Sequence, residues 1–175
     1  MVMMRPALRK SLLTLHVCVS AGWMGAILVF LALSIIGMTS ADAATVRGVY
    51  LVMQPAARFV LVPLAIASLV TGIVQSLGTK WGLLRHYWVI FKLVINLVAT
   101  GVLLSYFPTF RRLAVLASDP AADLPDVRSG SPGLHSVLAL IVLALAMVLA
   151  VFKPRGLTAR GWRKQQARQR QGVTA

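Results

Sequence analysis

Apolar residues fill four long stretches of the chain, and polar residues fall between them or at widely spaced points within them. The stretches run over about Leu12–Gly37, Tyr50–Leu77, Trp88–Phe110 and Leu134–Phe152. Each supplies the roughly 20 predominantly apolar residues that a helix needs to cross the hydrocarbon core. A backbone in lipid must satisfy its own hydrogen bonds, so the pattern predicts helices, and the short alternating segments of a β-barrel do not occur. The second stretch is longer than a span requires and is expected to tilt or protrude, with a bend at Pro63. The expected fold is all-α: a four-helix transmembrane bundle over residues 12–152, preceded by a short segment over 1–11 and followed by a basic tail over 153–175. The first stretch exceeds the roughly 7–15 residues of a signal-peptide core and is expected to be retained as a helix.

Composition agrees with that pattern. Hydrophobic residues make up 58% of the chain and charged residues 13%, with mean hydropathy +0.81. That leaves too little polar surface for a soluble domain of this size. The formal net charge of +14 would suggest nucleic acid in a soluble protein. Here its distribution matters more. Arg5, Arg9, Lys10, Lys80, Arg85, Lys153, Arg155, Arg160, Arg163, Lys164, Arg168 and Arg170 fall on one side. Arg47, Arg111, Arg112 and Arg128 fall on the other, with all four acids, Asp42, Asp119, Asp123 and Asp126. The positive-inside rule then places both termini in the cytoplasm, in a bacterial-type inner or plasma membrane. The tail is expected to adhere to anionic headgroups with Trp162 as an interfacial anchor, and no nucleic-acid module is visible in it. The Asp-, Pro-, Ser- and Gly-rich connection from Arg111 to Gly133 is expected to be a flexible link.

Polar residues within the spans are candidates for function. Trp88, Lys92, Asn96 and Thr100 recur every four residues and share one stripe of the third helix. Lys92 lies near the helix end and could snorkel, but snorkelling gives no reason for Asn96, and the pair points to an interior polar site. In the first helix His16 and Ser20 are one turn apart with Trp23 close to their face, and Gly22 and Gly25 permit close helix approach. His16 and Lys92 are expected at matching depth, facing each other. Ser68, Thr71, Gly72 and Gln75 form a stripe in the second stretch that suits small-residue packing. Arg47, Tyr50, Gln54 and Arg58 form another, in which Arg58 either binds an anionic group, such as a propionate or lipid phosphate, or snorkels outward. His86 is read as interfacial beside Tyr87 and Trp88. His135 opens the fourth helix, too far from His16 to share a metal, and suits a cap, the interface, or an external site with Arg58. Cys18 is expected to pack as a small hydrophobe. There is no cysteine pair, carboxylate cluster or phosphate loop, so hydrolase and ATPase chemistry have no support. Met24, Met38, Met53 and Met147 leave weak copper ligands.

The runs LLTLHVCVSAGWMGAIL, PLAIASLVTGIVQSLGTKWGLLRHYWVIFKL and VFKPRGLTARGWRKQ resemble a family of uncharacterised four-helix integral membrane proteins from actinobacteria. More distantly, LHVCVSAGW, VRGVYLVMQP and WVIFKL are similar to copper-resistance D-like membrane proteins and to the haem-binding membrane protoporphyrinogen oxidases of bacteria. The second resemblance implies haem b, with His16 matching the family's first-helix histidine and so the expected iron ligand, and Lys92 its third-helix lysine. Arg47, Tyr50, Met53 and Pro55 match the second-helix pattern. Val89–Ile90–Phe91 stand where the oxidases often carry a further histidine. The resulting expectation is a haem-binding redox protein whose cofactor site draws on His16, Lys92, Asn96, Ser20 and Arg58. Two alternatives stand beside it: a small copper or ion transport protein, and a non-catalytic membrane subunit. A homo-oligomer or a membrane partner is compatible with each.

Overall fold

The computed structural model describes residues 4–79, 82–154 and 156–173. Lys80 and Arg155 lie outside the described residues, as do the side chains of Lys164, Arg168 and Arg170. The helices are α1 (Pro6–Thr39), α2 (Ala43–Ala56), α3 (Val62–Leu77), α4 (Tyr87–Ser118), a single turn α5 (Leu124–Val127), α6 (Ser131–Phe152) and α7 (Ala159–Val173). A π-helical turn, Ala57–Leu61, joins α2 to α3, so the two form one rod. Its position follows from Pro63, which lacks an N–H and whose ring would strike the carbonyl one turn back. The Val62 N–H reaches Ala57 instead, five residues back.

Four spans are long and apolar enough to cross a membrane: Pro6–Thr39, Ala43–Leu77, Tyr87–Ser118 and Leu124–Phe152. Large apolar side chains such as Leu28, Val29, Phe91, Leu97 and Ile141 are exposed along them. Exposure on that scale suits a surface whose solvent is lipid, and the chain is a multi-pass membrane protein. Around the bundle the order is α1, the α2–α3 rod, α4, then α6, which packs back on α1. Hence α1 and α4 face each other across a diagonal. Lipid removes the hydrophobic drive between helices, so close packing must hold them together. Gly37 is an instance: a Cβ there would lie 3.1 Å from the Tyr50 ring.

The proximal end of the bundle carries both chain termini. The Met4 N–H reaches the Gly78 carbonyl at 3.5 Å, and the start of the tail pairs with the α3–α4 loop. His86 and Leu157 form an isolated antiparallel bridge there. The Thr158 N–H donates to the Arg85 carbonyl at 3.1 Å, and the Thr158 hydroxyl to the Leu84 carbonyl at 2.7 Å. That hydroxyl also accepts from the Gly161 N–H at 3.1 Å, which caps α7. His86 is therefore part of a loop–tail junction as well as a neighbour of Trp88.

The distal connections are more ordered than their composition suggests. Residues Arg111 and Arg112 belong to α4, which continues to Ser118, and the remaining link is pinned by two arginines. Arg47 donates to the carbonyls of Ala117, Asp119 and Ala122 at 3.3, 2.6 and 2.6 Å. Arg128 donates to those of Gly37, Met38 and Ser40 at 3.2, 2.6 and 2.6 Å. Each guanidinium thus gathers carbonyls at or just beyond a helix C-terminus, and places a cation at the negative end of the dipole. Tyr50 adds a clamp: its hydroxyl donates to the Ser129 carbonyl at 3.0 Å and accepts from the Ser129 N–H at 2.8 Å. Asp42 caps α2, and its bonds to the Thr45 hydroxyl and N–H hold its carboxyl below the usual carboxylate range.

Candidate functional site

Three helices bring their polar groups together in the proximal half of the bundle. Lys92 lies five residues into α4 and points across the diagonal to α1. Its Nζ sits 3.1 Å from Nε2 of His16. On the opposite side of the imidazole, Nδ1 is 2.9 Å from the Thr71 hydroxyl of α3. The Thr71 hydroxyl has one proton and places it on the Ala67 carbonyl at 2.6 Å. Thr71 therefore accepts from His16, which puts the ring proton on Nδ1 and leaves Nε2 as a lone pair. Lys92 donates to that lone pair. The resulting chain is Lys92 Nζ–H to Nε2, Nδ1–H to Thr71, Thr71 to the α3 backbone.

The backbone of α3 makes room for the ring. A Cβ at Gly72 would lie 3.1 Å from Cε1 of His16, so a larger residue would push the imidazole away. His16 is buried at 6% exposure, although it lies in a helix whose neighbouring side chains Leu15 and Val17 face lipid. One turn deeper, the hydroxyls of Ser20 and Ser68 pair at 2.8 Å. This second α1–α3 bond sets the rotation of α1 and so the direction of His16.

The structure joins His16 and Lys92 as the sequence predicts, and their expected companions make other contacts. Asn96 is buried, but its amide turns back to donate to the Lys92 carbonyl at 3.0 Å, on its own helix. Ser20 pairs with Ser68 and is adjacent to the cluster without belonging to the imidazole chain. Arg58 is exposed on the π turn, its guanidinium 5.6 Å from the Phe59 ring centroid, so it joins neither His16 nor His135. Cys18 is exposed on α1 and does not pack inside. His135, partly exposed near the start of α6, turns Nδ1 to the Ser131 carbonyl and lays its ring 4.1 Å from that of Tyr106. The residue that sequence reasoning undervalued is Thr71. The available signal was its place beside Gly72, on a helix antiparallel to α1, at the depth of His16.

Among the described residues no three His, Cys, Asp or Glu side chains gather as ligands for a metal ion. The donor set here is one imidazole lone pair with a flexible amine beside it. That set does not form a cage for a bare ion. No family model, curated protein or solved structure matches this chain.

Proposed function

We propose that the protein is a haem b-binding redox protein of the cell membrane, in which His16 would hold the iron. The observation that carries this reading is the orientation of the imidazole: Nδ1–H is fixed on Thr71 and the Nε2 lone pair faces the bundle diagonal. Histidine ligands typically donate their other ring N–H to such a partner, which fixes tautomer and direction. A porphyrin carries its own ring nitrogens and asks the protein for only one or two axial donors, which suits a site with a single imidazole. Bound there, haem would supply one-electron chemistry.

The protein's own residues would divide the work. His16 would bind the iron through Nε2. Thr71 orients the ring, and Gly72 leaves space for it. Lys92 now holds Nε2 by one hydrogen bond, and its flexible four-carbon stem lets the amine move from that nitrogen to a porphyrin carboxylate. Asn96 steadies the Lys92 backbone. By the positive-inside rule this half of the bundle would lie on the cytoplasmic side, with the basic tail against anionic headgroups.

Protein purified from membranes in mild detergent should carry a Soret band with b-type features. His16→Ala should remove most of it, because the iron loses its anchor. Lys92→Ala should lower occupancy, with Lys92→Arg rescuing only in part, since a planar guanidinium does not replace an ammonium. His86→Ala should leave the band intact, because His86 serves the loop–tail junction. Protein that stays colourless after haem is added would eliminate this reading, and metal analysis and co-purification would then separate copper carriage from a non-catalytic subunit role.

A further inference from the structure

A second polar feature lies in the distal half, away from the His16–Lys92 pair. A cavity of about 60 Å³ is walled there by Trp23, Leu61, Leu103, Tyr106, His135 and Ala139, among others. Nδ1 of His135 is 2.9 Å from the Ser131 carbonyl, one turn back on its own helix. A carbonyl only accepts, so Nδ1 carries the proton and Nε2 is a lone pair on the far side of the ring. The Tyr106 hydroxyl, beside that ring, donates to the Ser131 hydroxyl at 2.8 Å. The Ser136 hydroxyl, also on the wall, donates to the Pro132 carbonyl at 2.8 Å. With those protons committed, His135, Tyr106 and Ser136 offer the cavity acceptors. No donor among the described residues meets Nε2, so its lone pair is left for a ligand that can donate a hydrogen bond.

Charge, size and access narrow the ligand. No Lys, Arg, Asp or Glu lines the cavity, so nothing favours an anion or a cation. The 60 Å³ is well below the roughly 150 Å³ that admits benzene, so an aromatic ring is too large and a slender group fits. Val102 lines the cavity yet is 46% exposed, which places an opening on the lipid-facing surface. We propose that this cavity binds the hydroxyl end of a neutral, long-chain alcohol carried in the membrane. The hydroxyl donates to Nε2 of His135, and the chain leaves past Val102 into the surrounding acyl chains. This site is independent of the His16 reading.

The test is photolabelling of the detergent-purified full chain with a long-chain primary alcohol bearing a diazirine near its hydroxyl, and with the methyl ether of the same probe. The ether keeps the shape and loses the donor. The alcohol should label residues around the cavity, and the ether about fivefold less, the cost of one hydrogen bond of ~1 kcal/mol. His135→Leu should reduce alcohol labelling to the ether's level. Ala139→Leu keeps His135 and fills the cavity, and should also abolish the labelling while circular dichroism confirms the helices. Equal labelling by alcohol and ether in the unaltered protein, or labelling that survives Ala139→Leu, would overturn the proposal and leave water or unspecific lipid as the occupant.

Discussion

At the scale of single residues, one hydroxyl decides which nitrogen of His16 is available. Thr71→Val preserves shape and removes the acceptor for Nδ1–H. If His16 holds haem, losing this outer partner should weaken binding by about 10–100-fold in a haem titration, with Thr71→Ser restoring most of it. Unchanged affinity in Thr71→Val would show that Thr71 does not position the ring. Arg128 makes a comparable point about stability. Its three carbonyl partners close the end of α1, and Arg128→Met should lower stability by about 1–3 kcal/mol, read from thermal unfolding in detergent. Arg128→Lys should recover little, because an ammonium cannot reproduce the guanidinium fork across three carbonyls. A variant as stable as the parent would mean that other groups satisfy those carbonyls. The His16–Lys92 contact was legible because both residues break apolar helices near the same end, and burying a charge or an imidazole there needs a partner. Thr71 was not legible as that partner, since Ser, Thr and Gly stripes also arise from helix packing alone. Arg58, which the sequence left between an anion ligand and an outward-pointing side chain, is exposed on the π turn.

At the scale of elements, hydropathy located all four spans but not their ends. The helices α1, α2 and α4 outrun the apolar stretches, because polar residues continue a helix readily once its backbone is in water or at the interface. The distal link looked flexible from its Asp, Pro, Ser and Gly content. Its order comes from Arg47, Arg128 and Tyr50 contacting carbonyls 70–91 residues away in sequence, a kind of bond that local composition cannot announce. The tail gives the same lesson at the proximal end. Thr158 bonds two loop carbonyls and caps α7, and Gly161 is required because a Cβ there would lie 2.5 Å from the Arg85 carbonyl. Thr158→Val removes the cap and the side-chain bonds, a loss of about 1 kcal/mol, so the undocked fraction of the tail should rise about fivefold. Limited trypsin digestion, with cleavage slow relative to redocking, should show tail cutting accelerated by that factor. An unchanged cleavage rate would mean that the tail is not held by this junction.

At the scale of the whole molecule, the bundle is electrically polarised while its interior carries few charges. The four acids sit at the distal end, in α5 or the loops beside it and at the start of α2, and most of the basic residues in loops sit at the proximal end. The two arginines most engaged distally, Arg47 and Arg128, spend their donors on backbone carbonyls and so act as internal struts. They should therefore count for less in orientation than the proximal residues Arg5, Arg9, Lys10 and Arg85. Even numbers of spans put both termini on one side, and the orientation expected from the positive-inside bias is with that side cytoplasmic. A reporter active only in the cytoplasm, fused after Ala175, should be active, and one active only outside, fused at the same point, should be silent. Inserted in the link between α4 and α6, the pair should give the opposite result. Replacing Arg47 or Arg128 should reduce the amount of folded protein without inverting the pattern, because these residues stabilise helix ends and do not outweigh the proximal charge. A silent cytoplasmic reporter at the C-terminus of a well-expressed fusion would reverse the orientation, placing the His16–Lys92 pair near the outer face and the His135 cavity near the inner one.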